Sequence, residues 1–113
     1  MHELSLCKNI LDIVKEKALE HQGKYIKTIY LELGELMAVE KTALLFSFPI
    51  LAKNTIAEHA KLHILDIPGE GRCESCGLVN RVKQLFSVCE NCGKFSLVIL
   101  RGNELRVKAM EVL

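Results

Sequence analysis

Four of the five cysteines fall into two matched pairs, Cys73-Glu74-Ser75-Cys76-Gly77 and Cys89-Glu90-Asn91-Cys92-Gly93. Twelve residues separate the pairs. A two-residue gap lets both thiolates of a pair bend toward one point. The trailing glycine lets the backbone turn tightly behind the sulfurs. Two such knuckles supply the closed tetrahedral sulfur shell that Zn²⁺ favours. Iron in a rubredoxin-like site is the minority metal, since sulfur tetrahedra also suit iron. Disulfides or a redox pair are the other alternative. Zinc saturated by four protein ligands has no open coordination position, so these cysteines predict a structural module and no catalysis.

The second residue is His2, and that position has chemistry of its own. A free Met1 α-amine, the following peptide nitrogen and the His2 imidazole can close adjacent chelate rings on one metal ion. The amide must lose its proton, which favours metals that form strong planar nitrogen complexes. Ni²⁺ and Cu²⁺ do so, whereas zinc prefers a tetrahedron. Amine and imidazole must also be unprotonated, so the site weakens as pH falls. The alternative is an ordinary exposed histidine near a chain end. Glu3 reads equally well as an acidic residue in the first turn of a helix.

These groups need a scaffold. Residues 3–21 read as an amphipathic helix, with Leu4, Cys7, Leu11, Val14 and Ala18 recurring at steps of three and four and Ile10 widening the stripe. Gly23 is the expected stop. Tyr25 to Leu33 reads as a strand in which Ile29, Leu31 and Leu33 alternate with Thr28, Tyr30 and Glu32. A second helix is expected from about Val39-Glu40-Lys41 to Leu51, kinked or broken at Pro49. Ala60 to Ile67 is a further strand, closed by Pro68-Gly69. From Glu70 to about Phe95 large apolar side chains are few, so metal must stand in for a core. Leu78 to Phe86 can form a short strand between the knuckles. Ser96 to Leu100 and Glu104 to Val112 read as a hairpin around Gly102-Asn103. The expected fold is α+β: a small mixed sheet with two helices, plus an inserted four-cysteine, zinc-ribbon-like module. The domain reading is residues 1–69 with 96–113 against a zinc module at 70–95.

Half of the 113 residues are apolar and 26% are charged, an ordinary globular composition with room for one modest core. The longest apolar runs are too short to span a bilayer. The start lacks a basic n-region and an apolar segment, so no signal peptide is expected. Reduced metal-binding thiols then point to the cytoplasm. The formal charge is +1, and one Zn²⁺ on four thiolates brings it to −1. That balance gives no general attraction to nucleic acid, and without tryptophan a base-stacking platform is poorly supported.

Taken together, Met1-His2-Glu3-Leu4-Ser5-Leu6 and the late Cys-x2-Cys-x12-Cys-x2-Cys resemble the HypA/HybF family of nickel metallochaperones for [NiFe]-hydrogenase maturation. The resemblance extends to Leu31-Glu32-Leu33-Gly34-Glu35-Leu36, to Ala43-Leu44-Leu45-Phe46-Ser47-Phe48 and to the ending from Glu104 to Val112. It implies a nickel-binding domain with His2 as the essential ligand, the Met1 amine and backbone nitrogen assisting, and Glu3 as a further candidate. It implies a structural Zn²⁺ on Cys73, Cys76, Cys89 and Cys92, with Ni²⁺ as transferred cargo. The implied partners are the GTPase HypB and the hydrogenase large-subunit precursor, with urease maturation proteins for some members. Neither nucleic acid nor a membrane is an expected partner, and a homodimer is left open. Some relatives carry histidines beside the zinc cysteines. This chain has none beyond His63, so tuning of zinc by a neighbouring imidazole is not expected.

The remaining candidates have plainer readings. Cys7 lies on the apolar stripe and reads as a buried thiol. His59 and His63 are four apart and would share a face of a strand; exposed polar residues are the simpler account. His21 suits a helix C-terminus. No P-loop, no Gly-x-Ser-x-Gly and no other catalytic constellation is present, so the chain is not expected to be an enzyme. Two competing functions remain: a zinc-ribbon nucleic-acid adaptor using Arg72, Arg81 and Lys83, and a small enzyme using the zinc. The first would show salt-sensitive binding. The second conflicts with a closed four-sulfur shell.

Overall fold

A computed structural model describes residues 3–113. The first helix, α1, spans Glu3–Glu20 and buries Leu6, Cys7, Ile10, Leu11, Val14 and Ala18. This is the expected stripe with one exchange. Leu4, in the first turn, is 57% exposed, and Leu6, one turn before Ile10, takes its place. The helix stops at Gln22, which adopts the left-handed conformation at φ 56°. Its amide donates to Leu19 O at 3.1 Å while that of Gly23 donates to Ala18 O at 2.9 Å. Two paired returning bonds of this kind satisfy the last carbonyls of a helix. The stop therefore lies one residue before the glycine expected to make it.

Strand β1, Ile26–Gly34, is the middle of a three-stranded sheet in the order β2-β1-β6, where β2 is Lys61–Ile67 and β6 is Leu105–Val112. The Leu113 amide donates to Tyr25 O at 2.9 Å and the Gly34 amide to Glu104 O at 2.7 Å. Those bonds set β1 and β6 antiparallel. The expected alternation along β1 is only partly kept, because Thr28 and Glu32 are buried too. A central strand has neighbours on both sides, and their side chains cover the face that would otherwise meet water. His63 of β2 stacks on Tyr30 with ring centroids 5.3 Å apart. Arg106 of β6 forms an ion pair and hydrogen bond with Glu32.

Helix α2 is Lys41–Ala52, and it runs through Pro49 as one element. Of the kink or break expected at the proline, the break into two pieces is not found. Leu44, Phe48 and Ala52, at steps of four, form its buried face. Pro49 lies on the opposite side, among exposed Leu45, Phe46 and Ile50. The carbonyl that Pro49 leaves without an amide is that of Leu45, on the exposed side where water can satisfy it. The α1–α2 contact includes a bond from Cys7 Sγ to Leu44 O at 3.5 Å. Among the described residues no helix is long and apolar enough to cross a membrane.

The second sheet has the order β4-β3-β5, with β3 at Glu70–Cys73, β4 at Val79–Arg81 and β5 at Leu97–Arg101. Both neighbours pair antiparallel to β3, through Gly71↔Asn80 on one side and Gly71↔Ile99 on the other. This overturns the expected C-terminal hairpin: β5 and β6 lie in different sheets. Gly102, at φ +109°, makes the crossover. Its carbonyl accepts from the Leu36 amide at 2.7 Å. A side chain there would run into the Gly69 backbone, with a Cβ only 2.4 Å from Gly69 Cα. The Gly-Asn signal correctly marked a turn, but the apolar runs on either side pair with other strands.

The chain forms two compact units. One consists of Leu33–Ala38 and Asp66–Leu105, and the rest of the described chain forms the other. The cysteine-bearing unit is thus wider than the 70–95 expected from composition. It also takes in the short 3-10 turn Glu35–Met37, for which the sequence carries no periodic signal. Glu35 Oε1 accepts from the Gly69 amide at 3.0 Å and from Arg81 at 3.0 Å. The Gly69 amide, first, and the Arg81 guanidinium hold the Glu35 carboxyl below its ordinary value.

Candidate metal centre

Strand β3 ends on Cys73, and the chain turns at once into the first knuckle. The Gly77 amide donates to Cys73 O at 2.8 Å, and the Cys73 amide donates to Leu78 O at 2.9 Å. The second knuckle repeats this pattern. Gly93 N donates to Cys89 O at 2.8 Å and Cys89 N to Lys94 O at 3.0 Å. Gly77 and Gly93 sit at φ +80° and +71°, with no atom near a would-be Cβ at either. Their requirement is conformational and not spatial.

The two knuckles bring Cys73, Cys76, Cys89 and Cys92 together, with all four sulfurs within 4.8 Å of one another. Cys73 and Cys92 Sγ are 3.5 Å apart, and Cys76 and Cys89 Sγ are 3.6 Å apart. All four thiols are free. A tetrahedron with Zn–S bonds of about 2.3 Å has sulfur–sulfur edges of about 3.8 Å, so the cluster has the dimensions of a zinc shell.

The electrostatics fit the same ion. The Ser96 hydroxyl, 3.2 Å away, and the amides of Cys76 and Ser75 lower the Cys73 thiol to about 6. Cys89 is lowered first by the Cys92 amide, then by that of Asn91 and by the Asn80 carboxamide. For Cys92 the Lys94 amide favours the thiolate. Partial loss of water around the packed sulfurs, with the neighbouring Cys73, Cys89 and Cys76 sulfurs themselves, outweighs it and pushes this thiol up to about 11. Four packed sulfurs cannot all ionise unaided. A divalent cation such as Zn²⁺ held by these residues would supply the positive charge that lets four thiolates share the space.

Two side chains around the cluster carry no signal of their role in the sequence motifs. Asn80 is buried in β4; its Nδ2 donates to Leu78 O at 3.2 Å and Cys89 Sγ at 3.6 Å, and its Oδ1 accepts from the Glu90 amide at 2.9 Å. Ser96, whose hydroxyl reaches Cys73, precedes β5. Asn80 is one of several polar residues between the knuckles and nothing in the chain singles it out; Ser96 is equally unmarked.

A family model described as hydrogenase/urease nickel incorporation, metallochaperone, hypA matches residues 1–112. The chain belongs to the HypA family. Relatives named hydrogenase maturation factor HypA include one from Legionella pneumophila (strain Corby), 46% identical, and one from Alkalilimnicola ehrlichii, 40% identical. Each alignment covers 99% of both chains. The solution structure of the Ni metallochaperone HypA from Helicobacter pylori superposes with a TM-score of 0.74 at 29% identity, covering 100% of this chain and 98% of that one.

The nickel ligands expected for a HypA protein, the Met1 amine and His2, lie outside the described residues; Glu3 opens α1. Among the described residues the four cysteines are the one group of three or more side chains assembled as metal ligands. His59 and His63 are exposed, and His63 is engaged with Tyr30. Cys7 is fully buried, and burial, with the Glu3 charge adding, pushes its thiol up. That environment makes it unreactive, as the helix stripe suggested. Arg81, one of the cations considered for phosphate contact, is already paired with Glu35.

Proposed function

We propose that this chain binds Ni²⁺ at its N-terminus and delivers it for [NiFe]-hydrogenase maturation, with zinc as a resident structural ion. The observation that carries the reading is the family match over residues 1–112, a span that includes Met1-His2-Glu3. His2 is the central nickel ligand. The Met1 amine and the intervening peptide nitrogen close the chelate, and Glu3 offers a carboxylate. Such a set selects planar nickel over tetrahedral zinc. Cys73, Cys76, Cys89 and Cys92 offer the opposite preference, which keeps cargo and structural ion apart.

The two compact units divide this work, with nickel assigned to the one carrying α1 and zinc to the one carrying the knuckles. A terminal chelate suits transfer, because an acceptor can displace its ligands one at a time. The chain acts as a carrier and not as an enzyme, in the cytoplasm. HypB and the hydrogenase large-subunit precursor are its partners, and urease maturation proteins are a second outlet. The names of its relatives as hydrogenase maturation factors support that context.

The test is a nickel titration of zinc-loaded protein with a native N-terminus, beside His2→Ala, with both metals quantified. One zinc per chain in both proteins, with tight nickel lost only in the variant, is the expected result. Equal nickel binding in the two would remove His2 from the mechanism.

A further inference from the structure

The four sulfurs are not equivalent, and the difference follows one rule in both knuckles. The first cysteine of each knuckle, Cys73 or Cys89, is only 1% exposed, whereas the second, Cys76 or Cys92, is exposed. Each buried sulfur has its own side-chain donor. Ser96 Oγ lies 3.2 Å from Cys73 and Asn80 Nδ2 lies 3.6 Å from Cys89. Amides of the same knuckle add to these donors. Among the described side-chain hydrogen bonds, Cys76 and Cys92 meet only the sulfurs of the opposite knuckle, and the Lys94 amide is an additional backbone donor at Cys92. A donor drawn to a metal-bound thiolate withdraws charge from it and fixes its orientation. A thiolate open to water and lacking such a side-chain donor is the more nucleophilic and the more accessible.

We propose that Cys76 and Cys92 form the exchange edge of the metal centre, where thiol-directed electrophiles and competing chelators attack, while Cys73 and Cys89 anchor the ion. Ser96 and Asn80 are positioning residues for the anchoring pair. The inference rests on the reading of the cluster as a zinc site. With a maleimide, the Cys76 or Cys92 thiolate attacks one alkene carbon and a carbon–sulfur bond forms. The π pair moves to the neighbouring carbon, which takes a proton from water. The sulfur becomes a neutral thioether, a poor zinc ligand, and water enters the coordination position. No oxidant is consumed.

The experiment treats the zinc-loaded full chain with N-ethylmaleimide below one equivalent. Labelled peptides are then mapped by mass spectrometry, and released zinc is read with a chromogenic chelator. Cys7, buried apart from the cluster, serves as an internal control for unfolding. Cys76 and Cys92 should label at least about tenfold faster than Cys73 and Cys89, the scale of effect typical of outer-shell partners. In Ser96→Ala, which should fold with one zinc, the protection of Cys73 should shrink. The sulfur-to-metal charge-transfer band of the Co²⁺-substituted protein should shift as well. Even or inverted labelling in a chain holding one zinc would overturn the inference alone. A chain that takes up no zinc would overturn it together with the reading of the centre.

Discussion

Glu32 shows what a single side chain contributes and when. Its carboxyl is held below the ordinary 4.5, first by the hydrogen bond from Arg106 and then by the charges of Arg106 and Lys108, while burial opposes them. A carboxyl with a depressed folded value stabilises the fold above the unfolded value and loses that contribution as pH falls through the folded one. Glu32→Gln should therefore lower the melting temperature at neutral pH. Its deficit against the parent chain should shrink steadily as pH drops below 4.5. A deficit that is the same in neutral and in strongly acidic buffer, followed by circular dichroism, would show that the ion pair contributes nothing. The same scale explains why Asn80 and Ser96 were illegible beforehand. Neither type of residue marks a metal site by itself, and their meaning comes from lying 3.6 Å and 3.2 Å from a sulfur.

At the scale of elements, α2 carries a standing cost. A proline inside a helix removes one backbone bond and crowds the preceding turn, at about 3 kcal/mol in an ordinary helix interior. Here the helix keeps going to Ala52, held by Leu44, Phe48 and Ala52 on its buried face. Pro49→Ala should leave that face intact and raise unfolding stability by roughly 1–3 kcal/mol in chemical denaturation. A loss of stability would mean that Pro49 shapes the helix in a way the α1–α2 contact needs. Helix periodicity in α1 and the existence of β1 and β2 were legible because one buried face imposes a regular spacing. The pairing of β5 was not, because alternation says which face is buried and nothing about which strand lies alongside.

For the molecule as a whole, the two compact units differ in what holds them. The one with α1 and α2 has a conventional core of Leu, Ile, Val and Phe side chains. In the other, two of the buried side chains are the cysteines Cys73 and Cys89, and many large apolar groups, including Phe86 and Phe95, are exposed. Stripping the ion with a strong chelator should collapse the amide dispersion of Asp66–Leu105 while leaving that of α1, β1 and α2 near native, as read by heteronuclear NMR. Simultaneous loss of both would show a single cooperative unit. The two Cys-x2-Cys-Gly knuckles were legible in the chain alone, because each turn is local and closes within four or five residues. So was α1, whose periodicity is local too. That the last two strands part company into separate sheets follows from the three-dimensional fold and not from any local pattern. The fold likewise assigned Leu33–Ala38 to the cysteine unit and covered two sulfurs while leaving two open. Those outcomes depend on contacts between residues far apart in the chain, and no local pattern records them.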